Sequence, residues 1–351
     1  MDITGTIPPQ LGNLSFLVSL DLSKSNFHGE LPPELLLSRK LRDIDLSYNN
    51  FTGEIPKGIA NLPNLKWFIL RYNKLLNVLS IFNTSTLEIL DLRSHKYRFN
   101  CMTGTIPDEI GHLYNLKLLF VDNNRLTGSI PSTIFNISSL GRLFMSDNML
   151  EGPIPRQVDN LTMLVWFDLS NNYPERYRNI SNSRVIPDEV GNLPELSFIS
   201  LSFNDFTGLI PIGIFNISSL VVLGILGNHI SGSIPSTIGN GLTNIEGIYQ
   251  VGNNINGALP SSISNLSKLE FLELGGNELT GSIPESLGNL RLLRNLNLYG
   301  NSFTSDLSFI TPLANCENLP RLVLSFNPLN AMLPKSVGNL SSLNYIFGNK
   351  L

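Results

Sequence analysis

The sequence predicts a right-handed α/β solenoid with a parallel β-sheet on its concave face, built as one array along all 351 residues. Three observations carry this. The same pattern of leucine, asparagine, glycine and proline returns about every 24 residues, the signature of a repeat architecture. At the start of each copy leucines alternate with polar residues, which is the period of a strand. Charged residues make up only 15% of the chain while apolar ones make up 42%, so there is material for a long continuous core.

Two clean copies are LRDIDLSYNNFTGEIPKGIANLPN from Leu41 and LEFLELGGNELTGSIPESLGNLRL from Leu269. The frame LxxLxLxxNxLxGxIPxxLxxLxx lies on the chain thirteen times between residues 17 and 342, with a partial copy at 3–16 and another at 343–351. Copies start at Leu17, Leu41, Leu65, Leu87, Leu116, Leu140, Leu164, Leu196, Leu220, Ile245, Leu269, Leu293 and Leu319. In LxLx the leucines share one face of a short strand, and no single copy can bury them. Stacking copies in parallel buries them against each other. The asparagine column then lines up: Asn49, Asn73, Asn124, Asn148, Asn172, Asn204, Asn228, Asn253, Asn277, Asn301 and Asn327, with Ser25 and His95 in its place in two copies. A buried asparagine both donates and accepts, so it can satisfy backbone groups where the chain leaves the strand. The glycine of the LTG step permits a positive φ, and Ile-Pro adds an apolar anchor with a fixed φ.

Composition excludes several classes of function. A net charge of −4 offers no basic face for nucleic acid. No apolar run of about 18 residues is present to span a membrane, so no membrane contact by this chain is expected. Met1 and Asp2 open the sequence with no basic or apolar leader. Cys101 and Cys316 sit eight copies apart, far beyond disulfide reach, and Cys316 is expected as a buried structural thiol. His28, His95, His112 and His229 are scattered, and no phosphate-loop, nucleophile or metal motif occurs. No catalytic residue, metal or cofactor is expected.

The segments LTGSIP and LGNL, together with the opening ITGTIPPQLGNLSFLVSLDLS and the run from Ser302 to Leu343, resemble plant leucine-rich-repeat receptor-like serine/threonine kinases. The likeness is to the ectodomains of subfamily XII, which includes immune receptors for microbial peptides. That resemblance implies a ligand-recognition array on the extracellular face of the plasma membrane, working in defence signalling with a co-receptor kinase as partner. It also implies end caps, a membrane helix and a kinase domain, none of which is expected here, so the chain reads as a fragment or a truncated gene. Two alternatives are a leucine-rich-repeat inhibitor of microbial polygalacturonase and a peptide-hormone receptor ectodomain.

Two copies are overlong, around HKYRF (95–99) and YPERYRNISNSR (173–184), and read as tolerated surface bulges or an erroneous gene boundary in preference to loops that contact a ligand. The positions flanking the central strand leucine face the concave side. Those columns hold Trp67, Ile69, Phe120, Arg142, Phe144, Trp166, Phe198, Tyr249 and Phe271. Phe120, Phe144, Trp166 and Phe198 fall on successive strands, and aromatic side chains facing solvent mark binding surfaces. A peptide or protein ligand is therefore expected there, with Arg142 available to a ligand carboxylate. Asp21, Asp45, Asp91, Asp168 and Glu273 share the second column and are expected as a solvated acidic face. Nine N-x-[ST] sequons, at Asn13, Asn50, Asn83, Asn136, Asn160, Asn179, Asn216, Asn265 and Asn339, are candidate glycosylation sites.

Overall fold

Each repeat lays down a three-residue strand at its alternating leucines, and these strands stack in parallel. The computed structural model describes residues 4–76, 85–94, 102–172, 184–304, 306–329 and 332–348, and the chain divides into two compact units, Met1–Ile180 and Ser181–Leu351.

In the first unit the main sheet runs β1 (Ser19–Asp21), β2 (Asp43–Asp45), β3 (Trp67–Ile69), β4 (Ile89–Asp91), β5 (Leu118–Phe120), β6 (Arg142–Phe144) and β7 (Trp166–Asp168). One unbroken row of central residues, Leu20, Ile44, Phe68, Leu90, Leu119, Leu143 and Phe167, sets the register. All seven are buried. In the second unit the sheet runs β8 (Phe198–Ser200), β9 (Val222–Gly224), β10 (Gly247–Tyr249), β11 (Phe271–Glu273), β12 (Asn295–Asn297), β13 (Arg321–Val323) and β14 (Tyr345–Phe347). Its row, Ile199, Leu223, Ile248, Leu272, Leu296 and Leu322, is buried, and ends at the exposed Ile346. Because side chains alternate across a strand, the residues on either side of that row stand on the sheet's open face.

Each unit also carries a second parallel strip, formed where the chain passes the LTG step. In the first unit it has four strands from Thr4–Gly5 to Lys74–Leu75 and three from Thr103–Thr105 to Met149–Glu151. In the second it has six, from Arg184–Val185 to Ser302–Phe303. Glycine is required in this strip: Gly281 takes φ +77°, a region that costs a side-chain-bearing residue free energy.

The helical half of the expected α/β class is built differently from an α-helical layer. After the Ile-Pro steps the described chain makes short 3-10 turns, as at Ser132–Asn136 and Glu285–Asn289, except after Ile234-Pro235, where the one described α-helix is the four-residue Ile238–Gly241. The stretch between the Ile-Pro anchor and the next strand is too short to carry an α-helix beyond a single turn. A 3-10 turn instead aligns i and i+3, so Ile134 and Ile137 both reach the core. These turns stack closely. A Cβ on Gly288 would lie 2.3 Å from the Pro312 carbonyl oxygen of the following repeat.

The asparagine column is buried, and its bonds cross between repeats. Asn277 Oδ1 accepts the Ile255 N–H at 3.0 Å, and its Nδ2 donates to the carbonyls of Gln250 (2.8 Å) and Leu274 (3.0 Å). Asn49, Asn148, Asn228 and Asn301 repeat the arrangement. At Asn204, which follows an overlong repeat, the Arg184 guanidinium supplies a donor to Oδ1 at 3.3 Å. His95, Cys101, the HKYRF insertion and residues 173–183 of the second insertion lie outside the described residues. Cys316 is buried. Burial pushes its thiol up to about 11, which keeps it protonated and inert as a nucleophile.

Candidate functional site

On the open face of the first unit the registers set Arg142 beside Trp166 and Phe120 beside Phe144. Three rings join across β5, β6 and β7. Phe120 and Phe144 stack with centroids 5.0 Å apart and planes at 28°, and Phe144 meets Trp166 at 5.6 Å and 43°. Such separations are favourable for aromatic pairs. The cover is incomplete, since Trp166 remains 37% exposed. Both ends of the trio are topped by cations: Arg93 lies 4.3 Å from the Phe120 centroid and Arg142 lies 5.5 Å from that of Trp166. The result is an aromatic strip with a guanidinium over each end, Arg93 being paired with Asp91, a surface suited to apolar side chains, with Arg142 able to meet a carboxylate.

Trp67, 43% exposed, and the half-buried Ile69 stand on β3, separated from the trio by β4. Phe198 lies half-buried on β8 of the second unit. In that unit Tyr249 and Phe271 form their own stacked pair, 6.1 Å apart at 24°. The nine expected face residues are therefore all on main-sheet strands, and the ring contacts gather three of them into one strip and two into another.

The acidic column needs one correction. Asp21 is exposed, and Asp45, Asp168 and Glu273 are partly so, but Asp91 is only 3% exposed. Arg93 grips it with two bonds, Nε to Oδ1 at 2.9 Å and Nη2 to Oδ2 at 2.7 Å, and Arg71 Nη1 stands 3.6 Å away. Asp122, just after β5, is buried beside this group, and that burial raises its carboxyl to about 6. At the other edge of the sheet, hydrogen bonds from Lys117 and Lys66 hold Glu88 down to about 2. Sequence reasoning passed over Arg71, Arg93 and Asp122. The available signal was that both arginines occupy the same position, two residues after the strand, in successive repeats.

This architecture defines a leucine-rich-repeat solenoid, and the family profile described as Leucine Rich Repeat matches residues 40–62, 115–137 and 268–290. The fold matches solved receptor structures. The plant peptide hormone receptor RGFR1, solved in complex with RGF2, is 28% identical with a TM-score of 0.79, over 99% of this chain and 61% of that one. A TDR receptor is 31% identical at 0.87, over 97% and 57%. The Arabidopsis receptor kinase HAESA, in complex with the peptide hormone IDA and the co-receptor SERK1, is 31% identical at 0.80, over 98% and 59%. The chain thus spans 57–61% of the length of these three. A comparison with curated proteins finds no match. The fold is that of ligand-binding ectodomains and not of a catalytic domain. No helix among the described residues is long and apolar enough to cross a membrane.

Proposed function

We propose that this chain is the ligand-recognition region of a plant cell-surface receptor-like kinase, and that it takes an extended peptide across the open face of its main sheet. The observation that carries this is the partly exposed Phe120–Phe144–Trp166 strip with arginines over its two ends. Burying such rings is favourable, and binding hot spots concentrate in Trp, Tyr and Arg. Parallel strands about 4.8 Å apart give three strands a reach that three or four extended residues can follow. HAESA was solved with a peptide and the co-receptor SERK1, which supports a co-receptor kinase as second partner here.

A role in defence follows from the resemblance of the Ser302–Leu343 run to subfamily XII receptors. The second reading, a peptide-hormone receptor, is favoured by the peptide hormones bound in the RGFR1 and HAESA structures. Calorimetric titration with synthetic panels of microbial peptides and of secreted plant peptides separates the two by which panel binds. Within the panel that binds, Trp166→Ala should weaken affinity at least about thirtyfold, with little loss of thermal stability. Lys57→Ala, off the open face, should leave affinity unchanged. If Trp166→Ala and Phe144→Ala both bind like the unsubstituted chain, the ligand lies elsewhere.

A further inference from the structure

We propose that the open face of β10, β11 and β12 receives a lysine or arginine side chain of the bound peptide, between the Tyr249–Phe271 rings and the Glu273 carboxylate. The proposal rests on the peptide-binding reading and adds the charge of one ligand residue to it.

The register places Tyr249, Glu273 and Asn297 in one row of this face and Gly247, Phe271 and Asn295 in the next. Gly247 is what lets Tyr249 lie down. A Cβ there would stand 2.5 Å from Cε2 of the Tyr249 ring, so the ring occupies the place a side chain would take and stacks on Phe271. The rings thereby form one wall.

Glu273 forms the other. Its Oε2 accepts a hydrogen bond from Asn297 Nδ2 at 2.6 Å, and its Oε1 accepts one from Asn295 Nδ2. Two amides fix the carboxylate without neutralising it, and each oxygen keeps a second acceptor direction. No ion pair reaches Glu273 among the described residues. Glu270 at the strand's entry is paired with Arg294 at 3.6 Å, and Glu246 stands exposed beside it. The Tyr249 phenol titrates above its ordinary value, first through burial and then through the negative field of Glu273 and Glu270.

The contrast with the first unit identifies the occupant. There the protein supplies its own cations over the rings, Arg93 on Phe120 and Arg142 on Trp166. Here, among the described residues, no cation lies over Tyr249 or Phe271, yet an oriented carboxylate stands beside them. A cation held by a ring face and a carboxylate together is favoured by both, and only the ligand is left to bring it.

The test uses a displayed library of random linear peptides selected on the intact chain. Selected peptides should share a Lys or Arg at one fixed position. Replacing that residue by its neutral isostere, norleucine or citrulline, should weaken binding at least about tenfold. On Glu273→Gln, which keeps the size and one acceptor oxygen while removing the charge, the same replacement should cost less than about twofold. Gly247→Ala and Tyr249→Phe separate the ring wall from the phenol: the first should weaken basic peptides and the second should not. If peptides are selected and lose affinity with Trp166→Ala, but carry no fixed basic residue or show no coupling to Glu273, this proposal fails and the peptide-binding reading stands. If no peptide is selected, or those selected ignore Trp166→Ala and Phe144→Ala, the peptide-binding reading fails and this one with it.

Discussion

Asn277 accepts one backbone N–H from the repeat before it and donates to carbonyls in both repeats, and it is buried, so water has little access to replace these bonds. Leucine has nearly the same volume and none of the polar atoms. Asn277→Leu should therefore cost about 1–3 kcal/mol, the price of leaving buried backbone groups unpaired, and a urea-unfolding midpoint measures it. No change would show that the ladder is ornamental. Gln250 presents the opposite case. It occupies a strand-leucine position and is fully buried, yet neither Oε1 nor Nε2 finds a partner. Gln250→Leu should raise stability by about 1–3 kcal/mol, and an unchanged or lowered midpoint would mean the amide is satisfied. The asparagine column could be read in the sequence because its spacing is fixed and its chemistry is two-sided. Gln250 could be seen as a polar residue in an apolar slot, but whether its amide is paired depends on rotamers in two neighbouring repeats, which no local pattern encodes.

The turns leaving β3, β4 and β5 bring Arg71, Arg93 and Asp122 to Asp91, so four charges from successive repeats share one partly dry corner. Asp122 is the weak member. Its folded-state value of about 6 lies above the ordinary 3.8 because burial penalises the charge. A raised carboxyl contributes stability that is complete below its unfolded value and is lost as pH rises through the folded one. The native chain should therefore lose up to about 3 kcal/mol between roughly pH 4 and pH 6 relative to Asp122→Asn, at about 1.4 kcal/mol per pH unit. Parallel unfolding curves for the two across that range would refute it. At this scale the sequence supplied the strands of the main sheet and the alternation of their side chains, since the spacing of the leucines determines both. It did not supply the ring contacts, because Phe144 and Trp166 lie in different columns and meet on the diagonal. Nor did it supply the burial of Asp91, which depends on arginines reaching back from the turn.

Over the whole chain, the repeat made the stacking plain, while the second strip of short strands went unread because the LTG step carries glycine rather than an alternating pattern. The sequons agree with the stacking. Asn13, Asn136, Asn160, Asn216, Asn265 and Asn339 each end a 3-10 turn and are exposed, and Asn50 is exposed at the start of a short strand. Asn83 and Asn179 lie outside the described residues. None of the seven is on a main-sheet strand, so sugars there would leave the open face clear. Passage through a plant secretory pathway followed by peptide mapping should find glycan on most of these seven, and bare asparagines throughout would remove that support for an extracellular setting. The direction of the ladder bonds has a consequence of its own during synthesis. Phe27 must wait for the side chain of Asn49, twenty-two residues further on, before its N–H has an acceptor. A turn of this kind is closed by a residue the ribosome has not yet delivered. At roughly 5–20 residues per second, the newest repeat stays unfinished for about one to four seconds. The nascent chain therefore always carries one open turn at its growing end, and folding advances at the pace of translation.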